Sequence, residues 1–281
     1  MNNPVSSKRP LLCPRCRKLV SADERRCPHC GLTAPGSRWR HGLGSSLLMD
    51  GDRLIRAILV TNVVLYLLTL VLSGRGMHLS ANPLAFLAPA SRGLMALGAT
   101  GTIPIDGYHR WWTLIAASYL HGGLLHILFN MLALRQLAPF IVQTYGTHRM
   151  LTLYTLTGAA GFLLSYLAGV RFTIGASAAI CGLIGAALYY GKSRGGLYGQ
   201  AVYRQVGGWA LGIILFGFIV PGINNWAHGG GMAVGASLGM VLGYRERVRE
   251  NQFHRIMGVL CLIVTIGVLV WAVLTALPYL V

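Results

Sequence analysis

The length, composition and charge of the chain exclude an ordinary soluble domain. The chain has 281 residues, of which 54% are hydrophobic and only 11% are charged, and its mean hydropathy is +0.57, so we predict an integral membrane protein with several spans. A net charge of +17 would suggest nucleic acid in a soluble protein, but most basic residues lie between apolar runs, so we expect no nucleic-acid partner.

Four of the six cysteines form two pairs near the N-terminus, Cys13-Pro-Arg-Cys16 and Cys27-Pro-His-Cys30. Two CxxC pairs separated by ten residues are typical of a tetrahedral zinc site. A segment of about 30 residues is too short to fold around a hydrophobic core alone, so the metal would hold it together. We predict a zinc ribbon at 1–35 with structural zinc, because four thiolates leave no coordination position for a water molecule. Reduced thiolates also favour a cytoplasmic N-terminus.

A linker at 36–52 and seven apolar segments follow the ribbon. The segments cover roughly residues 54–73, 122–143, 150–169, 177–191, 206–221, 226–243 and 257–280. By composition the first and last face lipid, whereas the others are rich in Gly, Ala and Ser and would pack in a bundle interior. The fourth and fifth segments are short for a span of about 20 residues. A loop of nearly 50 residues joins the first two segments, and its aromatic residues favour the membrane interface.

The distribution of basic residues predicts the orientation of the chain. They are concentrated before the first segment and in alternate loops, whereas the other loops hold only Arg75, Arg92, Arg110 and Arg171. This bias predicts a cytoplasmic N-terminus and a C-terminus outside, and we expect the bacterial inner membrane.

Three interior segments carry polar residues near their N-terminal ends. His126 and Asn130 lie one helical turn apart in the second segment, so they share a face. Ser177 opens the fourth segment, and His228 lies at the start of the sixth. These three segments run in the same direction, so the histidines and the serine would lie within about 6 Å in depth near the outer face.

This combination favours nucleophilic catalysis. His228 would accept the proton of Ser177, whose oxygen attacks a carbonyl, while the backbone N–H of Ser177, His126 and Asn130 would bind the oxyanion. No acidic residue lies within the apolar segments, so the pair would be a dyad and not a triad. Gly231 and Gly235 form a face on which the sixth segment could approach the fourth closely.

At these residues the chain resembles the rhomboid intramembrane serine proteases. The resemblance covers residues 54–243 and rests on His121 with His126-x-x-x-Asn130, on Gly175-x-Ser177, and on Ala227-His228-x-x-Gly231-x-x-x-Gly235. It implies a six-helix core whose fourth helix starts within the membrane, cleavage of single-span membrane proteins near the outer surface, and no catalytic metal. His121, Gly175, Gly231 and Gly235 would have structural roles. Ala178 replaces a common glycine, and Cys181 replaces an aromatic residue that often packs on the catalytic histidine.

We therefore predict an all-α polytopic membrane protein with a six-helix core at 53–244 and a seventh transmembrane helix within 245–281, preceded by the ribbon. The predicted function is a serine endopeptidase that cleaves transmembrane segments of membrane proteins in the lipid bilayer. Two alternative functions are a non-catalytic rhomboid-like protein that binds transmembrane helices and a small-molecule transporter. The transporter would more usually show an internal repeat, which the sequence lacks.

Overall fold

A computed structural model describes residues 10–13, 16–36, 50–74, 78–79 and 86–279. The chain divides into two compact units, Met1–Leu54 and Ile55–Val281. The first unit contains the cysteine cluster and the second contains the helical bundle. Most of the predicted linker, residues 37–49, lies outside the described residues.

The first unit is a small ribbon of two antiparallel strands, β1 (Pro10–Leu12) and β2 (Leu19–Ser21). Each CxxC pair closes a turn of the same form. The N–H of Arg17 donates to the Cys13 carbonyl at 2.9 Å, and the N–H of Gly31 donates to the Cys27 carbonyl at 2.9 Å. Arg17 and Gly31 both have positive φ, 57° and 71°, so two equivalent turns present the thiols of both pairs to one centre.

Seven long helices follow in the described part of the chain. They are α1 (Gly51–Ser73), α2 (Leu124–Tyr145), α3 (Thr147–Leu167), α4 (Ser177–Arg194), α5 (Gly196–Ile219), α6 (Asn225–Leu242) and α7 (Gln252–Ala276). Within the described residues, α1, α2, α3, α5 and α7 are long and apolar enough to cross a membrane. The predicted all-α membrane fold is confirmed, and α4 and α6, with 18 residues each, are the two shorter helices.

The fifth helix differs from the prediction. It begins at Gly196, before the predicted start at residue 206, and has 24 residues, so it is not short. Its first turns contain polar residues, so the apolar run in the sequence begins later than the helix does. Gly199, Val202, Val206 and Ala210 are nevertheless buried at intervals of three or four residues, which is the periodicity of a helix with one packed face.

The helices α1 and α7, predicted to face lipid, leave most of their residues unburied, but both also pack against other parts of the chain. Each has one buried face that carries polar residues. Asn62 and Thr69, two turns apart in α1, are fully buried, and Asn62 lies beside Tyr154 of α3. Thr265 is buried in α7, which packs on the other helices through α3 and the short helices of the first loop. The composition of a helix does not predict this feature, because the few polar residues of one face are outnumbered by the apolar residues that face lipid.

The helix α4 occupies the centre of the bundle. It contacts α2, α3, α5 and α6, with the most extensive contact to α6. Ten consecutive residues, 178–187, are buried. A helix enclosed on all sides needs little lipid-facing surface, so it can be short and rich in small residues.

In its described residues the long first loop contains three short α-helices, Ser91–Leu97, Thr102–Tyr108 and Thr113–Ala116, and a 3-10 helix, Ala117–Tyr119. It joins the α3–α4 loop through a reciprocal pair of backbone bonds between Thr100 and Thr173, of 3.1 and 2.8 Å. Further along, the carbonyl of Ala117 accepts from the N–H of Gly175 at 2.9 Å. The first loop therefore supports the segment that leads into α4.

Arg149 lies between two apolar segments and by sequence only adds to the basic bias of its loop, but its side chain is fully buried. Its guanidinium donates to the carbonyls of Leu242 at 3.1 Å and Val248 at 2.7 Å, and to that of Gly243. The Glu250 carboxylate accepts from the backbone N–H groups of His148 and Arg149 at 3.1 and 3.3 Å. A cation thus caps the end of α6 and an anion caps the start of α3, as the helix dipoles favour.

Candidate active site

His126, Ser177 and His228 lie in the first turns of α2, α4 and α6, respectively. Ser177 is the first residue of α4, and its Oγ lies 2.8 Å from Nε2 of His228 in the first turn of α6. His228 is buried, with 7% of its surface exposed. The structure therefore brings together a hydroxyl and an imidazole from positions 51 residues apart.

Small residues bring α4 and α6 into backbone contact. A Cβ placed on Gly231 would collide with the carbonyl oxygen of Ala178, and one on Gly235 would collide with that of Gly182. Rotation of a side chain could relieve neither collision, because the atoms that would be met belong to the backbone of α4. The distance between Ser177 and His228 therefore depends on glycine at these two positions.

Asn224, which the sequence analysis did not single out, holds the start of α6. Its side-chain oxygen accepts from the N–H of Ala227 at 3.1 Å and so caps the helix. Its NH₂ group donates to the hydroxyls of Ser165 at 2.5 Å and Thr173 at 3.0 Å. Asn224 precedes His228 by one helical turn, and Thr173 lies four residues before Ser177. This one amide therefore links the segments that carry Ser177 and His228, and the preference of Asn for N-cap positions was the available signal.

His126 points toward the serine. Its Nδ1 accepts from the N–H of Gly122 at 3.2 Å, so the neutral ring carries its proton on Nε2. A Cβ placed on Gly175 would lie 2.8 Å from this Nε2 and 3.4 Å from the Ser177 Oγ. Gly175 has φ 129°, which is a second reason for glycine. The space between the His126 ring and the serine hydroxyl is thus kept open by the missing side chain.

Asn130 lies one turn further along α2 and is buried. Its side-chain NH₂ donates to the backbone carbonyl of His126 at 2.8 Å, which leaves one N–H for another acceptor. His126 and Asn130 therefore differ as donors, because the imidazole has its Nε2–H available and the amide is already committed in part to its own helix.

His121 packs edge-on against His126, with the ring centroids 5.1 Å apart. It is fully buried, and neither ring nitrogen has a hydrogen-bond partner among the described residues. The Nδ1 of His228 likewise has no partner in the described part of the chain. A carboxylate that could complete a triad is not among its hydrogen-bond partners in the described residues.

An apolar cavity of about 370 Å³ opens between α2 and α5. Its lining includes Leu137 of α2, Ile180 and Ile184 of α4, and Trp209 of α5. Because α4 forms its inner wall, the cavity reaches the helix that starts with Ser177.

The four N-terminal cysteines form a second cluster that could hold a metal ion. Their sulfur atoms all lie within 4.8 Å of one another, with 3.6 Å between Cys13 and Cys30 and 3.7 Å between Cys16 and Cys27. Tetrahedral Zn–S bonds of about 2.3 Å require sulfur atoms about 3.8 Å apart. The residues therefore fit the predicted ligand set.

Comparison with known proteins assigns the bundle. The Rhomboid domain model matches residues 108–245. RHOMBOID-like protein 4 of Arabidopsis thaliana is 33% identical over 57% of this chain and 41% of its own length. Rhomboid protease GluP of Bacillus subtilis is 34% identical over 47% of this chain and 26% of its own length. The rhomboid-type protein YdcA of Bacillus subtilis is 32% identical over 50% of this chain and 71% of its own length. The chain belongs to the rhomboid family.

The rhomboid match contains α2 to α6 and so includes all the polar residues of the candidate site. The cysteine ribbon, α1 and α7 lie outside it. The chain spans only 41% and 26% of the lengths of the Arabidopsis protein and GluP.

Proposed function

We propose that this rhomboid protein is an intramembrane serine endopeptidase in which Ser177 and His228 form the catalytic dyad. The observation that carries the proposal is the 2.8 Å distance between the serine Oγ and the histidine Nε2. At this distance the imidazole can accept the hydroxyl proton directly. The first backbone N–H groups of α4 have no carbonyl partner within the helix. They can therefore donate hydrogen bonds to a substrate oxygen.

In the proposed reaction, Ser177 Oγ attacks the scissile carbonyl carbon while its proton moves to His228 Nε2. The resulting oxyanion accepts hydrogen bonds from the Ser177 N–H and from Nε2–H of His126, with Asn130 as a weaker donor. His228 then protonates the leaving amine, the peptide bond breaks and an acyl ester remains on the serine. A water molecule, deprotonated by His228, hydrolyses this ester and releases the carboxylate product and the free serine.

The proposed substrate is a transmembrane segment of a single-span membrane protein. The apolar cavity between α2 and α5 supports this class, because its lining is mostly apolar and its inner wall is α4. A helical segment could approach from the lipid phase and unwind near Ser177. The proposed setting is the bacterial inner membrane, with the N-terminus in the cytoplasm and the active site toward the outer side. We also propose that the ribbon binds structural zinc.

The decisive experiment uses the full-length protein in proteoliposomes with a transmembrane substrate and a fluorophosphonate probe. Wild type should cleave the substrate and be labelled on Ser177. Ser177→Ala and His228→Ala should each abolish cleavage, and the double variant should cost no more than either single one, because the two residues act as a unit.

Ser237→Ala is the matched control, since Ser237 is an exposed serine of α6 that bonds only to the Ala233 carbonyl within the described structure. It should behave as wild type. Binding of the transmembrane substrate without cleavage or labelling of wild type would support the non-catalytic helix-binding alternative and contradict the protease proposal.

A further inference from the structure

The outer face of the ribbon hairpin is apolar. Leu12 and Leu19 are cross-strand partners, and 62% and 66% of their surfaces are exposed. Leu11 and Val20, on the other face, pack beside the cysteines. Two strands of this kind need an apolar residue only on the face that covers the metal cluster, so a paired leucine on the opposite face points to an external contact.

An exposed cation adjoins this apolar pair in the sequence. Lys18 is exposed and directly precedes Leu19. Residues 1–36 contain seven basic and two acidic residues, so the ribbon segment has a net positive charge. A leucine pair beside cations is the combination that binds the interface of an anionic bilayer, where the leucines enter the acyl boundary and the cations meet phosphate groups.

Within the first unit, the ribbon is bonded to the residue that precedes α1. The Arg17 guanidinium donates to the Asp50 carboxylate at 2.6 Å. Asp50 in turn accepts from the N–H groups of Asp52 and Arg53, at 3.1 and 3.4 Å, and so caps the start of α1. Because α1 is long and apolar enough to span a membrane, its start lies at the interface. Leu19 is only two residues beyond Arg17, or about 7 Å along an extended chain.

We propose that the Leu12–Leu19 face of the ribbon binds anionic lipid headgroups at the surface where α1 enters the bilayer. The two leucines insert at the acyl boundary and Lys18 pairs with a lipid phosphate. Lipid is favoured over a protein tail because the ribbon is covalently joined to a membrane helix, so the bilayer is present at a very high effective concentration. The proposal does not depend on the protease activity, since none of its residues belongs to the candidate active site.

Photocrosslinking of the full-length protein in nanodiscs identifies the occupant. p-Benzoylphenylalanine is placed at Leu19, and in parallel at His29, an exposed residue of the second CxxC turn, as the matched control. Nanodiscs contain either phosphatidylcholine alone or phosphatidylcholine with phosphatidylglycerol, and zinc content serves as the folding check. The Leu19 probe should form lipid adducts, with a higher yield in the anionic discs, and the His29 probe should not.

Charge variants complete the test. Lys18→Glu should lower the lipid-adduct yield at position 19 about fivefold in anionic discs, whereas Lys18→Arg should leave it unchanged. Lys18→Glu should have no effect in neutral discs. Equal lipid-adduct yields from the Leu19 and His29 probes, the same yield in both lipid compositions, or adducts to a protein and not to lipid would each overturn the proposal, provided that zinc content is normal.

Discussion

At the scale of single residues, the candidate site depends on side chains whose partners are far away in the sequence. Asn224 is the clearest case, because its amide bonds to Ala227, Ser165 and Thr173 at once. None of these partners reacts, yet together they set where His228 lies relative to Ser177. Asn224 is therefore a positioning residue and not a catalytic one.

Asn224→Ala should lower kcat far more than it raises KM, because the substrate site remains while the reacting pair is displaced. Loss of the N-cap should also cost about 1 kcal/mol of stability. Thr173→Val removes one of the amide's contacts and keeps the cap, so it should slow fluorophosphonate labelling with a smaller loss in Tm. Thr275→Val is the control, since the Thr275 hydroxyl bonds only within α7 in the described structure. Equal falls in labelling rate for both threonine variants would contradict the positioning role.

At the scale of helices, the contact between α4 and α6 is made by backbone atoms on both sides. Gly182 of α4 faces Gly235 of α6, so each helix presents a glycine where the other comes closest. Such a contact gives short distances and exact relative placement without long side chains.

Gly235→Val should reduce activity about a hundredfold or more, because a shift of about 1 Å between the helices misplaces His228. Thermal stability should fall as well. Gly267→Val in α7 is a matched control, since a Cβ there would meet nothing within 4 Å. Cleavage rates and Tm for the two variants are the measurements, and similar activity in both would mean that the α4–α6 contact does not position the dyad.

The junction of α3, α6 and α7 makes a separate prediction about pH. Burial opposes the charge of Glu250, but its bonds with His148 and the N–H of Arg149 lower its pKa below the ordinary value of 4.5. A carboxyl group with a lowered folded-state pKa stabilises the protein above its unfolded-state pKa, and this contribution is lost as the pH falls through the folded-state value. Tm should therefore decrease on acidification below about pH 4.5.

Glu250→Gln should lower Tm at pH 7 and remove part of this acid dependence, measured as Tm against pH in detergent. Glu246→Gln is the comparison, because Glu246 is an exposed residue that pairs with Arg194 at the surface and should contribute little. An unchanged slope in Glu250→Gln would show that other groups cause the acid sensitivity.

At the scale of the whole molecule, the ribbon and the bundle are separate compact units, and the rhomboid match is confined to the bundle. Their proposed chemistry is also distinct, since four thiolates suit a closed structural metal site and the proposed dyad needs no metal. We therefore expect metal loss and loss of catalysis to be separable.

Cys13→Ser with Cys16→Ser should release zinc, measured by elemental analysis, because two of four ligands are lost. Cleavage of a generic transmembrane substrate should remain within a few-fold of wild type. Cys181→Ser is a useful comparison, because Cys181 is buried in α4 away from the ribbon cysteines and should leave the zinc content unchanged. Full loss of cleavage in the folded double variant would mean that the ribbon is coupled to the active site.

Several features could be read from the sequence by itself. Hydropathy determined the membrane class, and CxxC spacing indicated a four-cysteine cluster because tetrahedral coordination constrains spacing. Ser177, His126 and His228 could be singled out because polar side chains are rare and costly within apolar segments. Their helical depth also predicted a common layer, since the rise per residue is constant.

Only the tertiary structure decided the roles of Asn224, Arg149 and Glu250, and the packed faces of α1 and α7. Arg149 bonds to carbonyls more than 90 positions away, and Asn224 bonds across 51 and 59 positions. Local patterns cannot specify such partners, because side chains distant in sequence become neighbours only when helices pack. The start of α5 was missed for a related reason, since its first turns are helical through packing on α4 and not through apolar composition.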